Sequence, residues 1–153
     1  QQLSDDKLAE VRNRKIGFVF QSFHLLPRAT ATDNVALPLL YSGMNRKERR
    51  RLAVEALHRV GLENRIDHRP DQLSGGQRQR VAIARALQNN PDIILADEPS
   101  GNLDKQTAEV IHNLLLGFAK DHHKTLIVVT HDESLARLCD TRYQLQGGLL
   151  EKQ

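Results

Sequence analysis

Leu73-Ser74-Gly75-Gly76-Gln77 places a hydroxyl and two glycines at what reads as a helix start, and further along an apolar run, Ile93-Ile94-Leu95-Ala96, ends in the acid pair Asp97-Glu98. The first arrangement offers uncovered backbone amides to an anion such as a phosphate, and the second offers carboxylates to a metal ion and a water. Together they point to nucleotide hydrolysis. Gln21 follows another strand-like run, Lys15-Ile16-Gly17-Phe18-Val19-Phe20, and Thr130-His131-Asp132 follows a third, Thr125-Leu126-Ile127-Val128-Val129. Ligands of an open parallel sheet sit beyond the carboxyl ends of its strands, so these three polar sites are expected to converge. No Gly-x-x-x-x-Gly-Lys-Ser/Thr loop, the usual cradle for phosphates, occurs in the chain.

Each residue has a plainer reading taken singly. Gln21 suits a loop cap, His131 a satisfied buried imidazole, and Asp97 a cap for the following helix. It is the combination that favours chemistry. Successive side chains of an extended segment point in different directions, so Asp97 is expected to face a Mg²⁺ ion and Glu98 the attacking water. A contact to the terminal phosphate suits His131, whose imidazole donates a hydrogen bond as charge develops. The Ser-x-x-Gln spacing of Ser74 and Gln77 is also that of an ordinary capping box. Gly costs roughly 1 kcal/mol against Ala inside a helix, and Gly75 and Gly76 are read as leaving room for something to approach the backbone.

The elements that must position these residues follow from periodicity and punctuation. Ser4 to Arg14 suits a short helix with Asp5 and Asp6 in its first turn, and Ser22 to Gly43 an irregular stretch with a short helix near Asp33 to Leu37. Asn45 and Glu48 are spaced as a capping box, opening a helix with Leu52, Ala56 and Val60 that stops at Gly61. A second helix runs from Ser74 through Leu87, and a third from Lys105 to Asp121 with Val110, Ile111, Leu114, Leu115 and Phe118 on one side. The runs at Ile93–Ala96 and Thr125–Val129 read as parallel strands buried on both faces, which with the third helix make a βαβ unit. Arg142 to Glu151 reads as a hairpin turning at Gly147-Gly148.

With 153 residues, 39% hydrophobic and 27% charged, the chain is sized and composed as one folded domain rather than a disordered tail. No apolar stretch reaches the ~18 residues needed to span a bilayer. The net charge is +3, but the basic run Arg46-Lys47-Glu48-Arg49-Arg50-Arg51 falls on one helix and reads as a solvated face, so no nucleic-acid partner is expected. Cys139 is the single cysteine, which excludes an internal disulfide and fits a reducing compartment.

Leu73-Ser74-Gly75-Gly76-Gln77, the run into Asp97-Glu98, the turn Gly101-Asn102-Leu103-Asp104, His131 after a strand and Gln21 after another resemble, in one order, the nucleotide-binding domain of ABC transporters. The resemblance implies a signature motif, a Walker B strand with its catalytic glutamate, a D-loop ending in Asp104, a switch histidine and a Q-loop glutamine. Phe18 to Pro27 and Asp97 to Asp104 look like the bacterial group of lipoprotein-release, macrolide-efflux and YbbA-type ATPases, which more usually has Thr where this chain has Ser100. The implied fold is α/β, a P-loop NTPase-like parallel sheet with a helical signature subdomain, incomplete at the N-terminus. Its implied divisions are a strand and Q-loop at 1–21, a helical subdomain at 22–88, and Walker B to the C-terminal hairpin at 89–153.

From the same resemblance, ATP and Mg²⁺ are the expected cofactors. Glu98, His131 and Gln21 are expected to be catalytic, Ser74, Gly75, Gly76, Gln77 and Asp104 to bind nucleotide, and Asp97 and Gln21 to hold the metal. The expected partners are a second ATP-binding subunit in a head-to-tail dimer, with Ser74 and Gly76 touching the phosphate in trans, and a membrane permease met through the stretch from Phe23 to Tyr41. Leu25, Leu26 and Leu39 there suit either that contact or the core. The protein would be cytoplasmic, peripheral on the inner face of the plasma membrane. A soluble ABC ATPase, or a non-catalytic half-domain, shares some of these features. The 53 residues from Gln21 to Ser74 carry no sustained heptads, which disfavours chromosome-type members. Lacking a Walker A loop, the chain reads as the C-terminal portion of a longer domain. Alone it is expected not to hydrolyse ATP, and to be marginally stable or to aggregate.

Overall fold

The computed structural model describes residues 4–153. The opening helix, α1, spans Asp5–Lys15; residues 1–3 and the Asp5 and Asp6 side chains of the expected acidic first turn lie outside the described set. Three parallel strands follow in the spatial order β1 (Ile16–Phe20), β2 (Ile93–Asp97), β3 (Thr125–Val129). Their register aligns Phe18 with Leu95 and Ile127, and Phe20 with Asp97 and Val129. The carboxyl ends of all three strands are therefore level, which is what brings the residues just beyond them together.

Between β1 and β2 lies a helical region: α2 (Ala31–Ala36) running into a 3-10 turn over Leu37–Tyr41, then α3 (Arg46–Arg59) and α4 (Gly75–Leu87). The short helix begins earlier than its expected position because Thr30 caps it, accepting from the Asp33 amide at 3.1 Å. On α3, Asn45 Oδ1 accepts from the Glu48 amide at 2.9 Å, and Gly61, at φ +70°, takes the left-handed geometry that ends the helix. Of the apolar stretch ahead of it, Leu39 is buried, Leu25 is half-buried against the helical core and Leu26 is exposed.

α4 joins two cores. Its Val81 and Ala84 pack with Val35, Ala53, Leu57 and Leu62 of the helical region, while Ile83 packs with Val19, Ile94, Ile111 and Leu115 under the sheet. Helix α5 (Lys105–Asp121) completes the βαβ unit. Its buried stripe is Ala108, Ile111, His112, Leu115 and Ala119, whereas Val110, expected inside, is exposed. At 100° per residue Val110 falls off the stripe centred on Ile111 and Leu115.

The apolar runs of β2 and β3 are covered on one face only: Ile127 and Val129 are 48% and 62% exposed, on the same side as the 38% exposed Phe18. Helices α4 and α5 cover the opposite face, and β3 forms an edge of the three-stranded sheet. A four-residue helix not foreseen from the sequence, α6 (Glu133–Ala136), follows β3 and buries Leu135. The terminal hairpin pairs β4 (Tyr143–Gln146) with β5 (Leu149–Lys152) about Gly147 and Gly148, both at positive φ, and all eight of its strand residues are exposed. Among the described residues, no helix is long and apolar enough to cross a membrane.

Candidate functional site

Glu98 stands at the centre of the level strand ends. Its backbone sits in the left-handed region at φ +44°, and its amide donates a hydrogen bond to the Val129 carbonyl at 2.8 Å. This turns the carboxylate toward β3, away from the exposed Asp97 beside it. Glu98 Oε1 accepts from the His131 amide at 2.8 Å and contacts His131 Nδ1 at 2.7 Å, while Oε2 accepts from Thr130 Oγ1 at 3.1 Å. A carboxylate only accepts, so the His131 proton sits on Nδ1 and Nε2 faces solvent on a side chain that is 82% exposed. Nε2 is thus the ring atom left to face a phosphate.

Gln21 is brought to the same place by β1. Its Nε2 donates to Asn102 Oδ1 at 3.1 Å and Asn102 Nδ2 donates back to the Gln21 carbonyl at 3.3 Å. Gly101 makes this possible, since a β-carbon there would lie 2.7 Å from Gln21 Nε2. With Nε2 engaged, Gln21 Oε1 remains as an oxygen donor one residue beyond Phe20, which pairs in register with Asp97. One carboxylate and one amide oxygen fit a hard divalent cation that keeps most of its water and takes phosphate oxygens as further ligands. Among the described residues, no group of three or more His, Cys, Asp or Glu side chains could enclose a metal by itself.

The Ser74 turn forms a complete capping box: Ser74 Oγ accepts from the Gln77 amide at 3.3 Å and Gln77 Oε1 accepts from the Ser74 amide at 2.9 Å. Ser74 is exposed, Gly75 half-buried and Gly76 buried. What approaches Gly76 is this chain's own Thr107, whose methyl would collide with any β-carbon there, and Gly75 lies against Leu103. Packing within the chain thus accounts for the two glycines without a ligand. Asp104 caps α5, with Oδ1 accepting from the Thr107 amide at 3.0 Å and Oδ2 from Thr107 Oγ1 at 2.6 Å. The Thr107 hydroxyl first, then its amide, holds the Asp104 carboxyl below its usual pKa. The Ser74 turn does not line the cavity of about 470 Å³ that holds Glu98, Ser100, His112, His131 and Asp132. The structure therefore places Gln21, Asp97, Glu98 and His131 at the level strand ends, with Glu98 and His131 in contact and Gln21 joined to Asn102, while the Ser74 turn packs on Leu103 and Thr107 beside Asp104.

Two buried polar residues went unread in the sequence. Gln79 on α4 is fully buried, and its Nε2 donates to the Pro99 carbonyl at 2.6 Å and the Phe20 carbonyl at 3.3 Å. It thereby fastens the segments leading to Gln21 and away from Glu98. His112 on α5 is 2% exposed and pairs with Ser100. The available signal was a polar residue in the apolar stripe of each helix.

A sequence model of the family described as ABC transporter matches residues 1–101. The chain belongs to the ABC transporter family. Relatives of this family include an uncharacterized ABC transporter ATP-binding protein of Thermotoga maritima, 62% identical over 132 residues that make 85% of this chain and 55% of the relative. The lipoprotein-releasing system ATP-binding protein LolD of Myxococcus xanthus is 52% identical over 95% of this chain and 65% of its own length. Among solved structures, the ATP-binding cassette MJ0796, a dimer in a post-hydrolysis state bound to ADP and Pi, superposes with a TM-score of 0.85 at 49% identity, covering 99% of this chain and 68% of that one. The α/β architecture with a parallel sheet is that of ABC cassettes. This chain spans from 55% to 66% of the length of the curated relatives it matches.

Proposed function

We propose that the chain forms part of an ATP-binding and ATP-hydrolysing subunit of an ABC transporter, coupling hydrolysis to transport or extraction of a substrate at the membrane. The observation that carries this is the Glu98–His131 clasp at the level strand ends, with Asp97 and Gln21 beside it. Asp97 and Gln21 would hold a Mg²⁺ ion, which would supply positive charge against the phosphates. Glu98 keeps an unused lone pair on Oε2, which accepts only from Thr130, so it orients the attacking water and takes its proton while His131 and Thr130 hold it in place. His131 contacts the terminal phosphate through its exposed Nε2 edge.

Ser74, Gly75, Gly76 and Gln77 would serve a nucleotide held by a second ATP-binding subunit in a head-to-tail dimer, with Asp104 at the same junction. The exposure of Ser74 and Asp104, and the absence of the Ser74 turn from the lining of the Glu98 cavity, support that arrangement. The divisions at 1–21, 22–88 and 89–153 would then supply the Q-loop, the signature helix and the reacting groups. A permease partner meeting the segment of Leu26, Leu40 and Tyr41, all exposed, would hold the protein at the inner face of the plasma membrane.

Glu98→Gln tests the reading in the protein as its gene encodes it. ATP turnover is expected to fall by about 10²-fold or more, the scale of a lost general base, while ATP-dependent dimer formation persists by size-exclusion chromatography. Unchanged turnover would remove Glu98 from its assigned role.

A further inference from the structure

The buried His112 is not accounted for by any step above, yet it touches both turns that carry the reacting groups. Its Nε2 lies 2.7 Å from Ser100 Oγ and 3.8 Å from Asp132 Oδ2. Ser100, 8% exposed, sits two residues after Glu98 in the turn where the Gly101 amide donates to the Glu98 carbonyl at 3.1 Å. Asp132 sits one residue after His131, and its amide donates at 3.0 Å to Thr130 Oγ1, the same hydroxyl that donates to Glu98 Oε2 at 3.1 Å. Ser134 fixes the other Asp132 oxygen, with its amide at 2.7 Å and its hydroxyl at 2.6 Å. The contacts run from Glu98 through Thr130, Asp132, His112 and Ser100 back into the Glu98 turn.

We propose that His112 is a positioning residue, which sets the spacing of the Ser100 and Asp132 turns and through them the registration of His131 against Glu98. A carboxylate oxygen facing Nε2 favours the tautomer with its proton there, so that His112 donates to Ser100 Oγ and is attracted to Asp132. Burial lowers the His112 pKa, and Asp132 and Glu109 pull it the other way, which leaves a neutral imidazole near neutral pH. A neutral imidazole can sit in this apolar stripe, among Ala108, Ile111 and Leu115, at far smaller cost than a charged one. Both of its neighbours are themselves anchored, so its removal frees two turns rather than one side chain.

The inference rests on the reading of Glu98 and His131 as the reacting pair, so its test uses no nucleotide. Ring-nitrogen chemical shifts of His131 are recorded by NMR on the labelled chain, for the unsubstituted protein and for Glu98→Gln, His112→Leu, His112→Gln and Ser100→Ala. Glu98→Gln marks the shift of a weakened clasp. His112→Leu and Ser100→Ala are expected to move His131 in that direction, and together no further than either alone, while His112→Gln, whose amide can replace Nε2, returns the signal at least halfway. Unmoved His131 signals in a folded Ser100→Ala or His112→Leu protein would overturn the proposal. So would unfolding of the mild Ser100→Ala variant, because the contact would then belong to core stability alone. A null result here leaves the Glu98→Gln turnover test standing, and failure of that test leaves the spectroscopic one standing.

Discussion

Glu98 is a non-glycine residue held at φ +44°, a conformation that costs about 1–2 kcal/mol for an L-residue and persists only where its surroundings fix it. The bonds from Val129, Thr130 and His131 described above are those surroundings, and His112 lies behind them. The same burial that suits His112 to its place makes it a pH-dependent element of stability. Its folded-state pKa lies below the ordinary 6.5 because burial disfavours the charged ring. Folded protein then binds fewer protons than unfolded protein as pH falls below the unfolded value, so unfolding takes up a proton. The contribution is fully present above 6.5 and is lost as pH drops through the folded pKa. Urea midpoints measured between about pH 7 and about pH 5 should therefore decline, and the decline should be shallower in His112→Met, the difference isolating this imidazole from the other histidines. Parallel slopes in the two proteins would contradict it.

Helix α4 connects the candidate site to the rest of the chain. Beyond Gln79, its Arg85 donates to the carbonyls of His24 at 2.6 Å and Phe23 at 3.0 Å, two residues in the left-handed region, and Arg78 lies over the Phe23 ring at 5.1 Å. One helix thus holds the Gln21 segment at three points. Replacing Gln79 by Leu strands the Pro99 carbonyl of a 2.6 Å bond in a buried setting, and the loss should be about 1–3 kcal/mol in chemical denaturation. Amide hydrogen exchange in residues 21–26 should accelerate alongside it, and exchange confined to α4 would show that the helix does not anchor that segment. Much of the local punctuation was legible: the Ser74 and Gln77 box that opens α4 and the Gly61 that ends α3 depend on neighbours within a few positions. Gln79 and His112 were not, because their partners lie 20 and 12 residues away. The apolar run of β3 was legible, and one of its two faces lies open. An apolar run reports the preference of its side chains, not whether a second layer lies over them.

The molecule as a whole exposes 10173 Å², whereas surface scaling gives roughly 7,800 Å² for a compact monomer of 17.3 kDa. The excess, roughly 2,400 Å², is about three times the ~800 Å² that one partner contributes to a standard interface. Part of it is apolar and continuous: Phe18, Ile127 and Val129 share the uncovered sheet face, beside an edge strand. The hairpin adds Leu145, Leu149 and Leu150, each about seven-tenths exposed. Uncovered sheet edges and apolar patches of this kind drive association. The 153-residue chain should accordingly show concentration-dependent association in sedimentation experiments. Placing charge on the open face with Ile127→Lys and Val129→Glu should suppress it with little effect on the covered core of Val19, Ile94 and Ile111. Hairpin substitutions at Leu145 and Leu149 discriminate the two sources of apolar surface: suppression by these alone would move the sticky surface from the sheet to the hairpin. A sharp, cooperative melt of a strictly monomeric sample would show instead that this exposed face is tolerated in solution.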